Sequence, residues 1–187
     1  TGEPFDNYDE LIRALNIFHE EKGLNISLRN ITVSTCGLTE KIMRFADDMP
    51  QVNLAVSLHA PSDEIRLKLM PVAKSCSMSE LLSVCRKYTE KSHRRITFEY
   101  ALIEGVNDSI ENAAQLAARL RGMLCHVNLI PLNRVSEKDF RGSARKHAEK
   151  FAAVLSSKGI EVTVRRELGS DISAACGQLR LTAESEG

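Results

Sequence analysis

Charge of one sign is missing from this sequence: 25 Lys and Arg stand against 25 Asp and Glu, a formal net charge of zero. Bulk electrostatics therefore do not announce a nucleic-acid partner. Long apolar runs are missing too. None approaches the roughly 20 residues that a membrane helix needs, so no membrane partner is expected. The N-terminus has neither the basic nor the apolar region of a secretory signal, and no initiator Met precedes Thr1-Gly2-Glu3-Pro4. The chain reads as a fragment of something longer. Its five cysteines, at 36, 76, 85, 125 and 176, include no C-x-x-C pair and no short Cys/His cluster. That spacing argues against a disulfide framework and for reduced thiols in a cytoplasmic protein.

What is present suits a globular α/β domain. At 187 residues the chain is long enough for a real core, since a domain of about 150 residues buries roughly 70% of its unfolded surface. Hydrophobic residues at 43% and charged residues at 27% are ordinary for such a domain. Charge is nonetheless uneven. Between Arg134 and Lys150 six Lys or Arg face three Asp or Glu, and Arg165-Arg166 follows. This stretch reads first as a solvated helical face, and alternatively as an RNA footprint.

Short β-branched runs alternate with helical periodicity, which predicts a β-α unit repeated about five times and parallel strands. Helices are expected over 8–21, with Asn7 or Asp9 as cap, over 39–48 and from Ser62 to Met70. A further helix follows the capping box Ser77-Met78-Ser79-Glu80. Another, capped by Asp108, holds Ile110, Ala113, Leu116, Ala117 and Leu120, and the last spans 144–157. Strands are expected at Asn30–Val33, Val52–Val56, Arg95–Leu102, Val127–Ile130 and Ile160–Val164.

In a β/α barrel the loops at the C-terminal strand ends converge on one face. Those ends here carry Ser34, Ser57, His59, Glu99 and Asn133. Any one of them could simply solvate a strand end; together they outline a polar site. Cys176 sits between Ala174-Ala175 and Gly177, flanked by Asp171 and Gln178. Small neighbours let another molecule approach a nucleophilic sulfur, but a buried structural thiol is the commoner state of free Cys, and the residues alone leave both open. Cys76, Cys85 and Cys125 lie in or beside apolar elements and read as structural, while Cys36 is undecided.

Five motifs then occur in one order: Gly2-Glu3-Pro4 with Asn7-Tyr8-Asp9, Ser34-Thr35-Cys36-Gly37, Ser57-Leu58-His59-Ala60-Pro61, Asn128-Leu129-Ile130-Pro131-Leu132-Asn133, and Asp171-Ile172-Ser173-Ala174-Ala175-Cys176-Gly177-Gln178-Leu179. Together they resemble the RlmN/Cfr family of radical S-adenosylmethionine enzymes, which methylate adenine in RNA. The resemblance implies a partial radical-SAM (β/α) barrel lacking its first strands. Residues 1–187 would be the C-terminal portion of that barrel domain, with 167–187 as the segment carrying a methyl-carrier cysteine.

Position by position, Gly2 and Glu3 match the motif that holds the amino group of S-adenosylmethionine. Ser34, Ser57, Leu58, His59 and Asn133 match contacts to the rest of the cofactor, and Cys176 matches the cysteine that becomes S-methylated. The implied reaction is methylation of adenine C2 in 23S rRNA and tRNA through that S-methylcysteine, with an electron donor such as flavodoxin. The family's C-x-x-x-C-x-x-C motif, which holds a 4Fe–4S cluster, does not occur in the sequence. The expectations are that it lies upstream of Thr1, that the chain alone is inactive, and that an unpaired barrel edge invites an edge-paired dimer. Asn7-Tyr8-Asp9 and Val164-Arg165-Arg166-Glu167 favour the C2 branch over its C8-methylating relative. A non-catalytic RNA-binding barrel is the alternative from another class. A metal- or Schiff-base-dependent lyase would need a metal constellation or a strand-borne Lys that the sequence does not offer.

Overall fold

A computed structural model describes residues 2–131 and 142–165. The segments 1, 132–141 and 166–187 lie outside the described residues, and with them Asn133, Cys176 and much of the basic stretch.

The expected alternation is observed. After a 3₁₀ turn at Pro4–Asn7 come α1 (Tyr8–His19), β1 (Thr32–Thr35), α2 (Thr39–Asp48), β2 (Asn53–Ser57), α3 (Asp63–Leu69), α4 (Met78–Ser92), β3 (Ile96–Leu102), α5 (Ile110–Leu120), β4 (Cys125–Pro131), α6 (Arg145–Ser157) and β5 (Glu161–Val164). The five strands form one sheet in the order β1-β2-β3-β4-β5, every neighbouring pair parallel. Each strand pairs with its predecessor, so the sheet grows in one direction as the wall of a barrel does. This is the α/β, partial-barrel architecture read from the motifs.

Local chemistry explains the elements. Along α5, Ala113, Leu116, Ala117 and Leu120 recur at helical spacing and are all buried. On α2 the buried stripe is Ile42, Phe45 and Ala46. These stripes cover the sheet face made by Val33, Leu54, Val56, Phe98, Tyr100, Val127 and Leu129, all members of one core. Burying each large side chain there contributes about 2 kcal/mol. Cys76, Cys85 and Cys125 belong to the same core, as their apolar settings predicted.

Three details differ from the sequence expectation. β1 runs from Thr32 to Thr35, so Ser34 lies inside the strand rather than beyond it, because Asn30 closes a 3₁₀ turn at Leu28–Asn30. The cap of α5 is Ser109, whose side chain and that of Asn112 form a reciprocal box. Asp108 instead accepts from the Gly105 amide at 3.0 Å and from the Ser143 hydroxyl. At α1, Asn7 occupies the cap position without a side-chain capping bond. Among the described residues no helix is long and apolar enough to cross a membrane.

Candidate functional site

The opposite sheet face is polar. Side chains alternate along a strand and parallel register keeps partners on one side. Ser57 of β2 therefore lines up with Glu99 of β3, Asn128 of β4 and Thr163 of β5. These four are half-buried or exposed, whereas their strand neighbours Val56, Phe98, Val127 and Leu129 are buried. Parallel sheets are usually apolar on both faces, so this polar row marks a surface reserved for something other than packing, although only Ser57 ends its strand and Glu99, expected at a strand end, lies in the middle of β3.

Beside this row opens a cleft of about 710 Å³, lined by the Gly2-Glu3-Pro4 segment, by Ser34, Thr35 and Cys36 of the first strand end, and by Ser57 and His59 of the second. Leu11, Leu15 and Phe18 of α1, with Ile31, Val33 and Met70, supply an apolar wall. Five of the eight residues singled out from the motifs thus meet in one place: Gly2, Glu3, Ser34, Ser57 and His59. Leu58 does not line the cleft. Its side chain is fully buried in the core, as alternation after Ser57 requires, and its amide donates to the Glu99 carbonyl at 3.0 Å. Asn133 and Cys176 fall outside the described residues.

Glu3 organises the mouth of the cleft. One carboxylate oxygen accepts from the Phe5 amide at 3.1 Å and the other from the Cys36 amide at 2.6 Å. It thereby ties the first loop to the end of β1 and still keeps lone pairs for a cationic ligand. Burial, and then the hydrogen bond and charge of Glu3, push the Cys36 thiol up to about 12. Cys36 is therefore a protonated thiol at neutral pH and a poor nucleophile.

Behind Cys36 lies a residue that sequence reasoning passed over. Arg66, on α3, is fully buried; its guanidinium donates to the Cys36 carbonyl at 2.8 Å and to the Cys76 carbonyl at 3.4 Å. Its Nε has no hydrogen-bond partner among the described residues, and burial lowers the pKa of the group. An Arg on a short amphipathic helix reads as solvent-facing, so nothing in the sequence marked it. Gly37 completes this corner at φ 109°, where an added Cβ would stand 3.0 Å from Leu81.

His59, two residues beyond β2, lies in the left-handed region at φ 55°. Its Nδ1 accepts from the Ala101 amide at 3.0 Å, which leaves the neutral ring protonated on Nε2. Burial first, and the nearby Arg66 second, lower its pKa to about 4. His59 is thus a neutral hydrogen-bond donor at ordinary pH. The site combines a carboxylate, the hydroxyls of Ser and Thr side chains and a neutral imidazole along one side and an apolar wall along the other.

Parallel strands in sequential order, with a polar cleft over their C-terminal ends, define a class that comparison names. The radical SAM superfamily model matches residues 1–117, and the chain belongs to that superfamily. Within it, the chain is 54% identical over 180 residues to the "Probable dual-specificity RNA methyltransferase RlmN" of Thermoanaerobacter sp. (strain X514), covering 96% of this chain and 53% of that protein. It is 56% identical over 180 residues to the protein of the same name from Clostridium perfringens (strain SM101 / Type A), covering 96% and 52%. A radical SAM methyltransferase crystal structure from Sphaerobacter thermophilus superposes with a TM-score of 0.92 at 50% identity, covering 95% of this chain and 52% of that one. The chain spans about half the length of the curated relatives it matches.

Membership implies S-adenosylmethionine and an iron–sulfur cluster, and the cleft fits the first. Its volume lies within the ordinary range for small-molecule sites, and its split between polar and apolar walls suits a ligand with a charged amino-acid end and an aromatic base. The described residues do not fit the second, because no group of three or more His, Cys, Asp or Glu among them could hold a metal ion.

Proposed function

We propose that the chain is the cofactor-binding part of a radical SAM RNA methyltransferase, and that S-adenosylmethionine lies in the cleft over β1 and β2. The observation that carries this is the convergence of Gly2, Glu3, Ser34, Ser57 and His59 on one cleft in a chain 54% identical to proteins named as RNA methyltransferases. Glu3 would accept from the ligand's ammonium group. Ser34 and Ser57 would bond ribose or carboxylate oxygens, and the Nε2–H of His59 would donate to an acceptor on the ligand. Leu58 would contribute backbone rather than side chain. When bound, S-adenosylmethionine supplies the methyl group.

The finer proposals follow from the family resemblance. The RNA position is adenine C2 in 23S rRNA and tRNA, Asn133 completes the cofactor site, and Cys176, on the 167–187 segment, is the methyl carrier. The sequence holds no C-x-x-x-C-x-x-C motif, so the chain alone does not turn over, and the full enzyme works in the cytoplasm with a reductant such as flavodoxin. Calorimetry of S-adenosylmethionine against the chain tests the cleft. Saturable binding that Ser57→Ala weakens about tenfold, one hydrogen bond's worth with its desolvation, supports it, and no binding removes it. Mass mapping of RNA treated with the full-length enzyme then separates C2 from C8.

A further inference from the structure

The loop between β3 and α5 reads in sequence as an ordinary turn, Gly105-Val106-Asn107-Asp108, and Asn in such a loop is commonplace. Its side chain is not on the surface. Asn107 is fully buried, and its amide is used from both ends. Nδ2 donates to the His59 carbonyl and to the Ala101 carbonyl, each at 2.7 Å, while Oδ1 accepts from the Ile103 amide at 2.7 Å. The Asn107 carbonyl in turn accepts from the buried Tyr100 hydroxyl at 2.7 Å.

Two of these bonds close a ring with His59. The Ala101 amide donates to His59 Nδ1, and the Ala101 carbonyl shares the Asn107 side chain with the His59 carbonyl. Ring and backbone of His59 are therefore both referred to one residue of β3. This matters because φ 55° costs an L-residue other than Gly or Asn about 1 kcal/mol or more. Released, the peptide would fall back toward the extended region and carry the imidazole off the Ala101 amide. The Nδ1 bond is also what places the proton on Nε2.

We propose that Asn107 is a positioning residue for the cleft: its side-chain amide holds the left-handed turn at His59 and thereby keeps the His59 Nε2–H presented to the ligand. The proposal rests on S-adenosylmethionine occupying the cleft, and it assigns Asn107 no contact with the ligand itself.

The test pairs a ligand-free readout with an affinity. Nitrogen-15 spectra of the imidazole in the full chain should show His59 as a single Nε2–H tautomer, with the Asn107 side-chain amide protons slow to exchange. A mixed tautomer or a freely exchanging amide would overturn the proposal without any variant. Asn107→Asp keeps the shape and the acceptor for Ile103 while losing both donations. It should mix the His59 tautomers and weaken S-adenosylmethionine about tenfold by calorimetry. Tyr100→Phe removes a bond to the same loop but none to His59, and it should leave tautomer and affinity unchanged. Equal effects from the two variants would mean a merely structural loop. If the unaltered chain shows the expected tautomer but binds no S-adenosylmethionine, the assignment of the cleft fails while the ring geometry stands.

Discussion

His59 concentrates the physical chemistry of the cleft in one side chain. Its ring ordinarily titrates near 6.5, and in the fold burial and Arg66 lower it to about 4. The folded chain then keeps a neutral ring at pH values where the unfolded chain has already taken up a proton. The unfolded state binds more protons between about pH 4 and pH 6.5, so stability is fully present above that window and falls as pH drops through it. Urea midpoints at pH 7.0, 5.5 and 4.5 should decline, and the decline should be shallower in His59→Asn, which tolerates the left-handed backbone but does not titrate. An identical slope in the variant would show that other groups carry the dependence. Arg66 is the complementary case. A buried cation is retained because two loop carbonyls need its donors, and leaving such acceptors unpaired costs about 1–3 kcal/mol each.

Elements are tied to the site by short polar links. Tyr8 of α1 donates to Asp48 of α2 at 3.0 Å, and the Arg44 guanidinium lies 4.3 Å from the Tyr8 ring while also pairing with Asp9 and Asp48. Phe5 packs between Tyr8 and Phe45 with ring centroids 5.7 and 5.3 Å away, so the Gly-Glu-Pro loop is anchored to α2 through aromatic contact. These exposed ion pairs add little singly; the tilted aromatic contacts join the first loop to α1 and α2, and the apolar side of α1 forms the cleft wall. The start of α5 shows how a local rule can be satisfied by a neighbour of the expected residue. Ser109 and Asn112 cap each other, which frees Asp108 to hold the loop beside Asn107. Ser109→Ala should lower stability by about 1 kcal/mol in urea unfolding. A loss within error would mean that Asp108 takes over as cap.

At the scale of the molecule, the sheet has one face covered by helices and one polar face ending in the cleft, with β1 and β5 as its edges among the described residues. On α1 and the turn after it, which precede β1 in the chain, Ile17 and Leu24 are each 64% exposed and Phe18 is 40% exposed. A parallel edge with apolar neighbours favours pairing with another chain. The molar mass of the chain by light scattering should therefore rise with concentration, and Ile17→Lys should suppress the rise. A monomer at all concentrations would show that α1 and the segments around it shield the edge adequately.

Helical and strand periods come from side-chain spacing alone, so the alternating elements, the parallel α/β class and the apolar face were legible before any coordinates. So was the company of Ser34, Ser57 and His59, because residues at C-terminal strand ends must share a face once the strands are parallel; Gly2 and Glu3 were grouped with them by the motif resemblance alone. The burial of Arg66 and the clamp of Asn107 on His59 were not legible. Each depends on contacts between segments 30 to 48 residues apart, and no local period encodes which buried carbonyl a distant donor must satisfy. Sequence determined the strand ends where a ligand would be met. Tertiary structure decided which ring nitrogen of His59 carries the proton there.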